Sequence, residues 1–306
     1  MKKKDLLSLN DYSGKEIEAL LNLSAAIKSE LKAKKFRRPL KDKTIALIFE
    51  KPSLRTHATF ETGIVQLGGH ALYLPSSNIR IGVRETAEDI AKNLERWVDG
   101  IVIRTFSQKL IETLASNASI PVINALTDDA HPCQALATAL TIKEHFKSFK
   151  GVKVAYVGDG NNVAASLFTI CAKLGMDSVH IGPKGYELSK QYLADVTAAA
   201  KVSGSKFTYT KELAGVKGAD LIYTDVWTSM GQEAESAKRL KAFKGYQVDS
   251  KLMALAGRGA KFSHCLPAHR GEEVSAEVID GAASIAIDEA ENRLHVQKAV
   301  LATLVK

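Results

Sequence analysis

The chain lacks the features that mark membrane-spanning, secreted and repeat proteins. None of its apolar runs approaches the roughly 18–20 residues of a membrane-spanning helix. The first residues are basic, but the apolar stretch that follows them is too short for the core of a signal peptide. Low-complexity linkers and internal repeats are also missing. We therefore predict an ordinary soluble, globular protein of the cytoplasm.

Cysteine and concentrated charge are scarce as well. Cys133, Cys171 and Cys265 are too few and too scattered for a disulfide framework, and no CxxC pair or other metal-ligand spacing is present. The net charge of +8 comes mostly from basic residues spread along the chain, without the aromatic-rich basic stretches or zinc-finger spacing of nucleic-acid readers. The composition predicts no metal site, no nucleic-acid partner and no membrane partner.

What the chain does have is an alternation of apolar, strand-like runs with longer helical patterns. The strand-like runs cover residues 44–50, 70–74, 101–105, 121–126, 152–157, 177–181, 219–225 and 261–265. Helical patterns lie between most of them, for example at 86–97, 133–146 and 163–174. Such alternation is typical of parallel sheets covered by helices, so we predict an α/β protein.

The length of 306 residues is enough for about two domains. We place a boundary near residues 147–151, because the helix that starts near Pro132 ends there and a fresh strand begins at Val152. We expect two domains, residues 1–147 and 148–290, each a parallel β-sheet flanked by helices. The last helix, at about 291–306, is expected to pack back onto the first domain.

The polar residues that stand out follow the ends of predicted strands. Ser53, Arg55 and Thr56 begin a helical pattern, where unpaired N–H groups and the helix dipole favour an anion. Such hydroxyls are also common as simple helix caps, so this stretch alone leaves both interpretations open. Other strand ends carry Arg104, His131, Gln134, Asn161, Asn162, Asp225 and Cys265. Ligands of parallel sheets bind at these ends, so we expect the clusters of both halves to face one interdomain active-site cleft.

Two further stretches allow more than one interpretation. Gly158-Asp-Gly160 resembles a dinucleotide-binding turn, but the third glycine and the carboxylate expected about twenty residues later are missing. Asp225 followed by Ser229-Met-Gly231 is either an ordinary strand end or a grip for an amino acid. In the second case the carboxylate pairs with an ammonium group, and the N–H groups of the turn bind a carboxylate.

Taken together, these motifs resemble the aspartate/ornithine carbamoyltransferase family over essentially the whole chain, and its ornithine branch in particular. The resemblance is carried by Ser53-Leu-Arg-Thr56, His131-Pro-Cys-Gln134, Gly158-Asp-Gly-Asn-Asn162, Asp225 with Ser229-Met-Gly231, His264-Cys-Leu-Pro267 and Glu291-Asn-Arg293. It implies transfer of the carbamoyl group of carbamoyl phosphate to the δ-amine of L-ornithine, giving L-citrulline and phosphate, in arginine metabolism. It also implies that no cofactor is required and that the chain forms a homotrimer or a multiple of trimers.

The resemblance further implies roles for individual residues. Carbamoyl phosphate would be bound by Ser53, Leu54, Arg55, Thr56, Arg80, Arg104, His131, Gln134, Cys265, Leu266 and Arg293. L-Ornithine would be bound by Asn162, Asp225, Ser229 and Met230. The catalytic residues would be Arg55, His131, Asp225 and Cys265. Arg55 and His131 would stabilise charge on the reacting oxygens, while Asp225 and Cys265 would keep the amine neutral and oriented.

Three residues near the first motif depart from the usual family pattern. Leu54 stands where the family usually has threonine, and it is compatible with binding through its backbone N–H. His57 stands where the family usually has arginine, and it exchanges a permanent cation for a side chain that is mostly neutral at pH 7. Arg80 occupies a position from which relatives reach a neighbouring subunit's site, and we expect it to supply a compensating cation.

Three other functions stay open on the sequence alone. The chain could be a carbamoyltransferase for another acceptor, such as putrescine or a modified ornithine, although a grip for a carboxylate favours a free α-amino acid. A nucleotide-linked oxidoreductase is disfavoured by the features missing from the glycine turn. A non-enzymatic basic binding protein is disfavoured by the scattered charge.

Overall fold

The computed structural model describes residues 3–306, except for the side chain at position 78. The described chain forms two compact units. The first unit comprises the described residues up to Leu140 together with Asn292–Lys306, and the second comprises Thr141–Glu291. None of the helices in the described part of the chain combines the length and the apolar composition of a membrane-spanning segment.

The first unit is built on a four-stranded parallel sheet. Its strands are β1 (Thr44–Phe49), β2 (His70–Pro75), β3 (Gly100–Arg104) and β4 (Val122–Leu126), and they lie in the order β2-β1-β3-β4. Its helices are α1 (Gly14–Lys32), α2 (Leu54–Gln66), α3 (Ser76–Ile79), α4 (Ala87–Leu94), α5 (Gln108–Asn117) and most of α6 (Pro132–Phe146). β1, β3 and β4 are almost wholly buried, as expected for parallel strands covered on both faces.

The second unit is built on a five-stranded parallel sheet. Its strands are β5 (Lys153–Val157), β6 (Asp177–Ile181), β7 (Phe207–Thr210), β8 (Leu221–Thr224) and β9 (Lys261–His264), and they lie in the order β7-β6-β5-β8-β9. Its helices are α7 (Asn162–Leu174), α8 (Lys190–Ser203), α9 (Ser236–Ala242), α10 (Ser250–Ala256) and α11 (Ala276–Ile279). The last helix, α12 (Ala286–Leu304), begins in this unit and ends in the first.

The order of the strands decides where ligands can bind in each unit. In the first sheet the chain winds outward in both directions from β1, so the loops after β1 and β3 separate at a switch point. In the second sheet the loops after β5 and β8 separate in the same way. Such switch points, at the carboxyl ends of parallel strands, are where open α/β sheets bind ligands.

The structure confirms two parallel α/β units flanked by helices, and it corrects two details of the sequence prediction. β7 was not predicted, because it is a short edge strand whose residues are only partly buried and form no continuous apolar run. The helix expected at about 291–306 begins earlier, at Ala286.

Candidate active site

The start of α2 presents its N–H groups and polar side chains beyond the end of β1. Ser53 caps the helix: its backbone is extended, and its Oγ accepts a hydrogen bond of 3.2 Å from the N–H of Thr56. Leu54, the first helical residue, is 80% exposed, so its side chain contributes little packing. The cap interpretation of Ser53 is therefore correct, and it leaves the other N–H groups of the first turn pointing away from the helix.

A buried hydrogen-bond network joins the start of α2 to α6 and α12. Arg293 Nη2 donates to Thr56 Oγ1 at 2.9 Å, and Arg293 Nη1 donates to Gln134 Oε1. All three side chains are at least 98% buried. Residues far apart in the sequence are thus fixed together, with the guanidinium held between an alcohol and an amide.

His131 lies in a buried, positively charged environment. It stands directly before α6 and is 4% exposed. Its pKa is well below the usual 6.5, first because of burial and then because of the charges of Arg293, Arg104 and Arg55. Arg104, the last residue of β3, is itself 4% exposed. The first unit therefore gathers three guanidinium groups around a histidine that is neutral at pH 7.

A cavity of about 420 Å³ opens beside the start of α2. Its lining includes Ser53, Leu54, His57, Phe49 and Tyr73. The imidazole of His57 stacks on Tyr73 with 4.5 Å between ring centroids, and its Nε2 lies 3.3 Å from Glu61 Oε2. His57 is therefore packed as an aromatic side chain as well as being a potential cation.

Arg80 lies apart from the network around Arg293. It is exposed at the end of α3, where its φ of 47° falls in the left-handed region. The hydrogen bonds that join Thr56, Gln134 and Arg293 do not involve it. Its predicted role toward a neighbouring subunit stays a prediction.

In the second unit, Asp225 is held at the end of β8 by three contacts. Its Oδ2 accepts a hydrogen bond of 2.9 Å from Asn161 Nδ2, and its Oδ1 accepts one of 2.8 Å from the N–H of Val226. The thiol of Cys265, beyond the neighbouring strand β9, lies 2.9 Å from the same Oδ1. Asp225 is 6% exposed, so its carboxylate has a fixed orientation and a nearby thiol.

Asn162 and the turn after Asp225 complete this cluster. Asn162 is the first residue of α7 and is half-buried, and its Oδ1 accepts from the N–H of Val163. The backbone N–H of Ser229 donates to Gln232 Oε1 at 3.3 Å. Met230, next in the turn, is 45% exposed. The side chain of Gln232 thus occupies the N–H of Ser229, one of the two backbone donors predicted to bind a substrate carboxylate.

The turn after β9 has a constrained backbone. Leu266 has a φ of 58°, which is unusual for a residue other than glycine. Its N–H donates to His264 Nδ1 at 2.8 Å. Cys265 and Leu266 are both half-buried. The histidine before the turn therefore holds the backbone that carries Cys265.

Two groups of side chains in the described part of the chain have ligand-type atoms close enough to hold a metal ion. One consists of Asp225, His264 and Cys265, and the other of His269, Glu272 and Glu273; in each, the atoms lie within 4.8 Å of one another. In the first group, Asp225 Oδ1 already accepts from Cys265, and His264 Nδ1 already accepts from the backbone. These atoms are accounted for by contacts within the protein.

The glycine turn after β5 is covered by the protein itself. A Cβ on Gly160 would lie 2.5 Å from the carbonyl carbon of Glu187 and 2.5 Å from the nitrogen of Leu188. The N–H of Gly160 donates to Tyr186 O at 2.8 Å. Glycine is required here for a close approach of two chain segments, which argues against a dinucleotide at this turn.

Two residues to which the sequence gave no individual role have direct contacts with the site. Asn161, expected only as one of the polar residues that follow β5, donates to Asp225. Glu273 is completely buried, 3.3 Å from His264. Nothing in the stretch Gly271-Glu-Glu273 distinguishes this carboxylate from an ordinary surface pair.

Comparison with known proteins agrees with this arrangement. Residues 4–144 match the family model described as "Aspartate/ornithine carbamoyltransferase, carbamoyl-P binding domain". Residues 150–304 match the one described as "Aspartate/ornithine carbamoyltransferase, Asp/Orn binding domain". An ornithine carbamoyltransferase from Bacillus subtilis is 53% identical over 299 residues, which cover 97% of this chain and 92% of that protein.

Solved structures agree as well. The ornithine carbamoyltransferase from Pyrococcus furiosus is 48% identical, has a TM-score of 0.96 and matches 99% of this chain and 97% of its own. An N-acetyl-L-ornithine transcarbamylase is 33% identical, has a TM-score of 0.89 and matches 99% of this chain and 100% of its own. The sequence motifs, the two sheets and these full-length matches lead to one conclusion: the chain belongs to the aspartate/ornithine carbamoyltransferase family.

Proposed function

We propose that this protein is an ornithine carbamoyltransferase, which transfers the carbamoyl group of carbamoyl phosphate to the δ-amine of L-ornithine. The products are L-citrulline and phosphate, in arginine metabolism. The observation that carries the proposal is the cluster of Arg55, Arg104 and Arg293 around His131, in a chain about half identical to ornithine carbamoyltransferases along nearly its whole length. The reaction needs an anion site and an amino-acid site, and the two units each supply one candidate.

We assign carbamoyl phosphate to the first unit. The phosphate is bound by the N–H groups of Ser53, Leu54 and Arg55, by the hydroxyl of Thr56 and by the guanidinium groups of Arg55 and Arg104, while the N–H of Thr56 stays on the cap oxygen of Ser53. Backbone donors at a helix start, together with arginine, suit a dianion because both charge and hydrogen-bond geometry match its oxygens. Arg293 supports this site through Thr56 and Gln134, to which it is hydrogen bonded.

His131 and Gln134 contact the carbamoyl group in this proposal. Because the pKa of His131 is lowered, its ring is neutral and can donate a hydrogen bond to the carbamoyl oxygen. Arg55 and His131 stabilise the negative charge that develops on oxygen as the amine adds. The backbone of Cys265 and Leu266 contributes further contacts to the same group.

We assign L-ornithine to the second unit. Its carboxylate is bound by Asn162 and by the backbone N–H groups of Ser229 and Met230, with the substrate replacing Gln232 Oε1 as the acceptor of Ser229. Its α-ammonium is bound by Asp225. Asp225 accepts from Asn161 and from the thiol of Cys265, so its orientation is set before the substrate arrives. Asp225 and Cys265 also orient the δ-amine, which must lose its proton to become a nucleophile, since a lysine-like amine has a free pKa near about 10.4.

The chemical step follows from these roles. The lone pair of the neutral δ-amine attacks the carbamoyl carbon, and a tetrahedral centre forms with charge on its oxygen. The bond from carbon to the bridging oxygen then breaks, phosphate leaves with that electron pair, and the proton given up by the nitrogen passes to the departing phosphate. Holding both substrates in the reacting geometry supplies much of the rate enhancement. Apart from the substrates themselves, this scheme uses only side-chain and backbone groups of the protein.

We further propose that the chain assembles as a homotrimer or a multiple of trimers in the cytoplasm, with Arg80 reaching the site of a neighbouring subunit. Light scattering should give a mass of about three chains. A monomeric enzyme with full activity would contradict the assignment of Arg80.

The test of the proposed function is citrulline formation from ornithine and carbamoyl phosphate. Arg55→Ala should reduce kcat by about a hundred- to a thousandfold, because a charged donor to the developing oxyanion is lost. Arg96→Ala is the matched control, since Arg96 is exposed and pairs only loosely with Glu95, 4.0 Å away. No citrulline from the unsubstituted protein, or equal losses in both variants, would refute the proposal.

An acceptor panel separates ornithine from related amines. N-acetylornithine lacks the α-ammonium that Asp225 binds, and putrescine lacks the carboxylate that Ser229 and Met230 bind. We therefore expect ornithine to react at least about a hundredfold faster than either, because a buried polar group left unpaired by the wrong substrate is costly. Faster carbamoylation of N-acetylornithine or putrescine would identify a different acceptor.

A further inference from the structure

We propose that His264 and Glu273 are positioning residues for the transfer reaction, which act by holding the turn that carries Cys265 and Leu266. This inference rests on the proposed function, because it assigns the turn to substrate contacts. Neither residue is itself assigned to a substrate: His264 acts through its hydrogen bond to the backbone of Leu266, and Glu273 acts through His264.

The hydrogen bond from Leu266 identifies the tautomer of His264. The N–H of Leu266 donates to His264 Nδ1 at 2.8 Å, so Nδ1 must present a lone pair. In the neutral ring, the proton is then on Nε2. That atom faces Glu273 Oε1 at 3.3 Å, a close electrostatic contact rather than a well-aligned hydrogen bond, and both side chains are completely buried. The carboxylate thus favours the one tautomer that can hold the backbone of Leu266.

Glu273 is well anchored for this task. Its Oε1 also accepts a hydrogen bond of 2.5 Å from the N–H of His269, and its backbone carbonyl accepts one of 2.8 Å from Val248. The neighbouring Val274 is fully buried in the core of the second unit. The contact between His264 and Glu273 therefore links the start of the loop 265–272 to its end, where Glu273 and Val274 are anchored in the second unit.

The turn needs such support because its backbone is in an unfavourable conformation. Leu266 has a φ of 58°, which brings Cβ close to its own backbone and is adopted by few residues other than glycine. A strained residue persists only when its surroundings hold it in place. The contact from Cys265 Sγ to Asp225 Oδ1, at 2.9 Å, depends on the same turn. Releasing Leu266 would therefore displace both the backbone of the turn and the thiol.

Two matched pairs of variants test this inference. The side-chain oxygen of asparagine can lie near the position of Nδ1, so His264→Asn can still accept from Leu266, whereas His264→Gln places its amide nearer the position of Nε2 and cannot. Glu273→Gln keeps an acceptor for the N–H of His269 and an oxygen beside His264 Nε2, whereas Glu273→Leu removes both. Glu272→Leu, at the more exposed neighbouring position, is the control for the last substitution.

We expect His264→Gln and Glu273→Leu to lower kcat by about ten- to a hundredfold, as for a misplaced catalytic group. His264→Asn, Glu273→Gln and Glu272→Leu should stay within about threefold of the unsubstituted enzyme. KM for carbamoyl phosphate should rise by less than about tenfold in His264→Gln and Glu273→Leu, because the turn contacts only the carbamoyl group and the phosphate contacts lie in the first unit. In the other three variants it should change by less than about threefold. If a variant lost activity because it unfolds, the fraction of active enzyme and the unfolding midpoint would both fall.

A second readout does not need the reaction. The thiol of Cys265 is half-buried, whereas Cys133 and Cys171 are fully buried, so iodoacetamide should alkylate Cys265 selectively. Displacing the turn should raise its alkylation rate about tenfold in His264→Gln and Glu273→Leu, but not in the other three variants. If Glu273→Leu does not fold, the two variants at His264 decide alone.

The outcomes separate the two proposals. Citrulline formation by none of the proteins, including the unsubstituted one, would refute the proposed function, while the alkylation rates would still test the turn. Equal kcat and equal alkylation rates for His264→Asn and His264→Gln would overturn the positioning role. So would a Glu273→Leu variant that folds and matches Glu272→Leu in both measurements.

Discussion

The hydrogen bond between Arg293 and Thr56 offers the most direct test of how the first unit holds its cationic cluster. Thr56→Val keeps the shape of the side chain but removes the oxygen that accepts from Arg293 Nη2 at 2.9 Å. Arg293 is 2% exposed, so its donor would lose that partner in a place where water does not readily replace it. Hydrogen bonds to charged groups contribute about 1.5–3 kcal/mol, and we expect the first unit to lose stability by about this amount.

The matched control is Thr59→Val, one turn along the same helix. The hydroxyl of Thr59 donates to the backbone of Arg55, so its removal leaves no buried charge without a partner. The assay is hydrogen–deuterium exchange of the amides of β1, which reports on opening of the first unit separately from the second. If the free energy of opening falls by about 2 kcal/mol, the exchange rate should rise about thirtyfold. Equal exchange in the two valine variants would refute the inference that Thr56 fixes Arg293.

Two further predictions concern pH and the ornithine site. Because the pKa of His131 is lowered in the folded state, above pH 6.5 the ring is neutral whether the chain is folded or unfolded. Below pH 6.5 only the unfolded chain takes up the proton, so stability should fall as pH falls, by up to about 1.4 kcal/mol per pH unit. His131→Asn should make this fall shallower in urea unfolding; an unchanged slope would contradict the assignment. In the turn Ser229-Met-Gly231, the N–H of Gly231 donates at 3.0 Å to both oxygens of Glu233. Glu233→Gln should lower KM for ornithine by about two- to fivefold and leave kcat unchanged, because it removes a negative charge beside the turn whose Ser229 and Met230 N–H groups are assigned to the substrate carboxylate. A KM no different from that of Glu212→Gln, a control at another surface glutamate, would count against this repulsion.

The sequence was informative wherever a pattern in the chain has a direct physical cause. Strands β1, β3, β4 and β5 follow from apolar runs, because a parallel strand buried on both faces leaves no room for polar residues. The grouping of polar residues at strand ends followed from the same sheet geometry. β7 escaped prediction because an edge strand needs neither a long run nor full burial.

The details of the site depended on tertiary contacts that no local pattern encodes. A glutamate such as Glu273 is usually exposed, and only the fold shows that it is buried against His264. Only the fold shows that the amide of Asn161, the N-cap of α7, donates to Asp225. His57 was considered only as a charge, whereas its stacking on Tyr73 gives it a second, packing role.

The covered turn at Gly160 limits what this fold can become. Parallel sheets with a glycine turn at the switch point are a common starting point for nucleotide cofactor sites. Here residues 186–188 lie so close to Gly160 that even a methyl group would meet backbone atoms at 2.5 Å. Exchanging side chains around the turn would therefore not open it. Evolution of a redox activity at this position would require a new path for the chain between β6 and α8, a change of backbone rather than of residues.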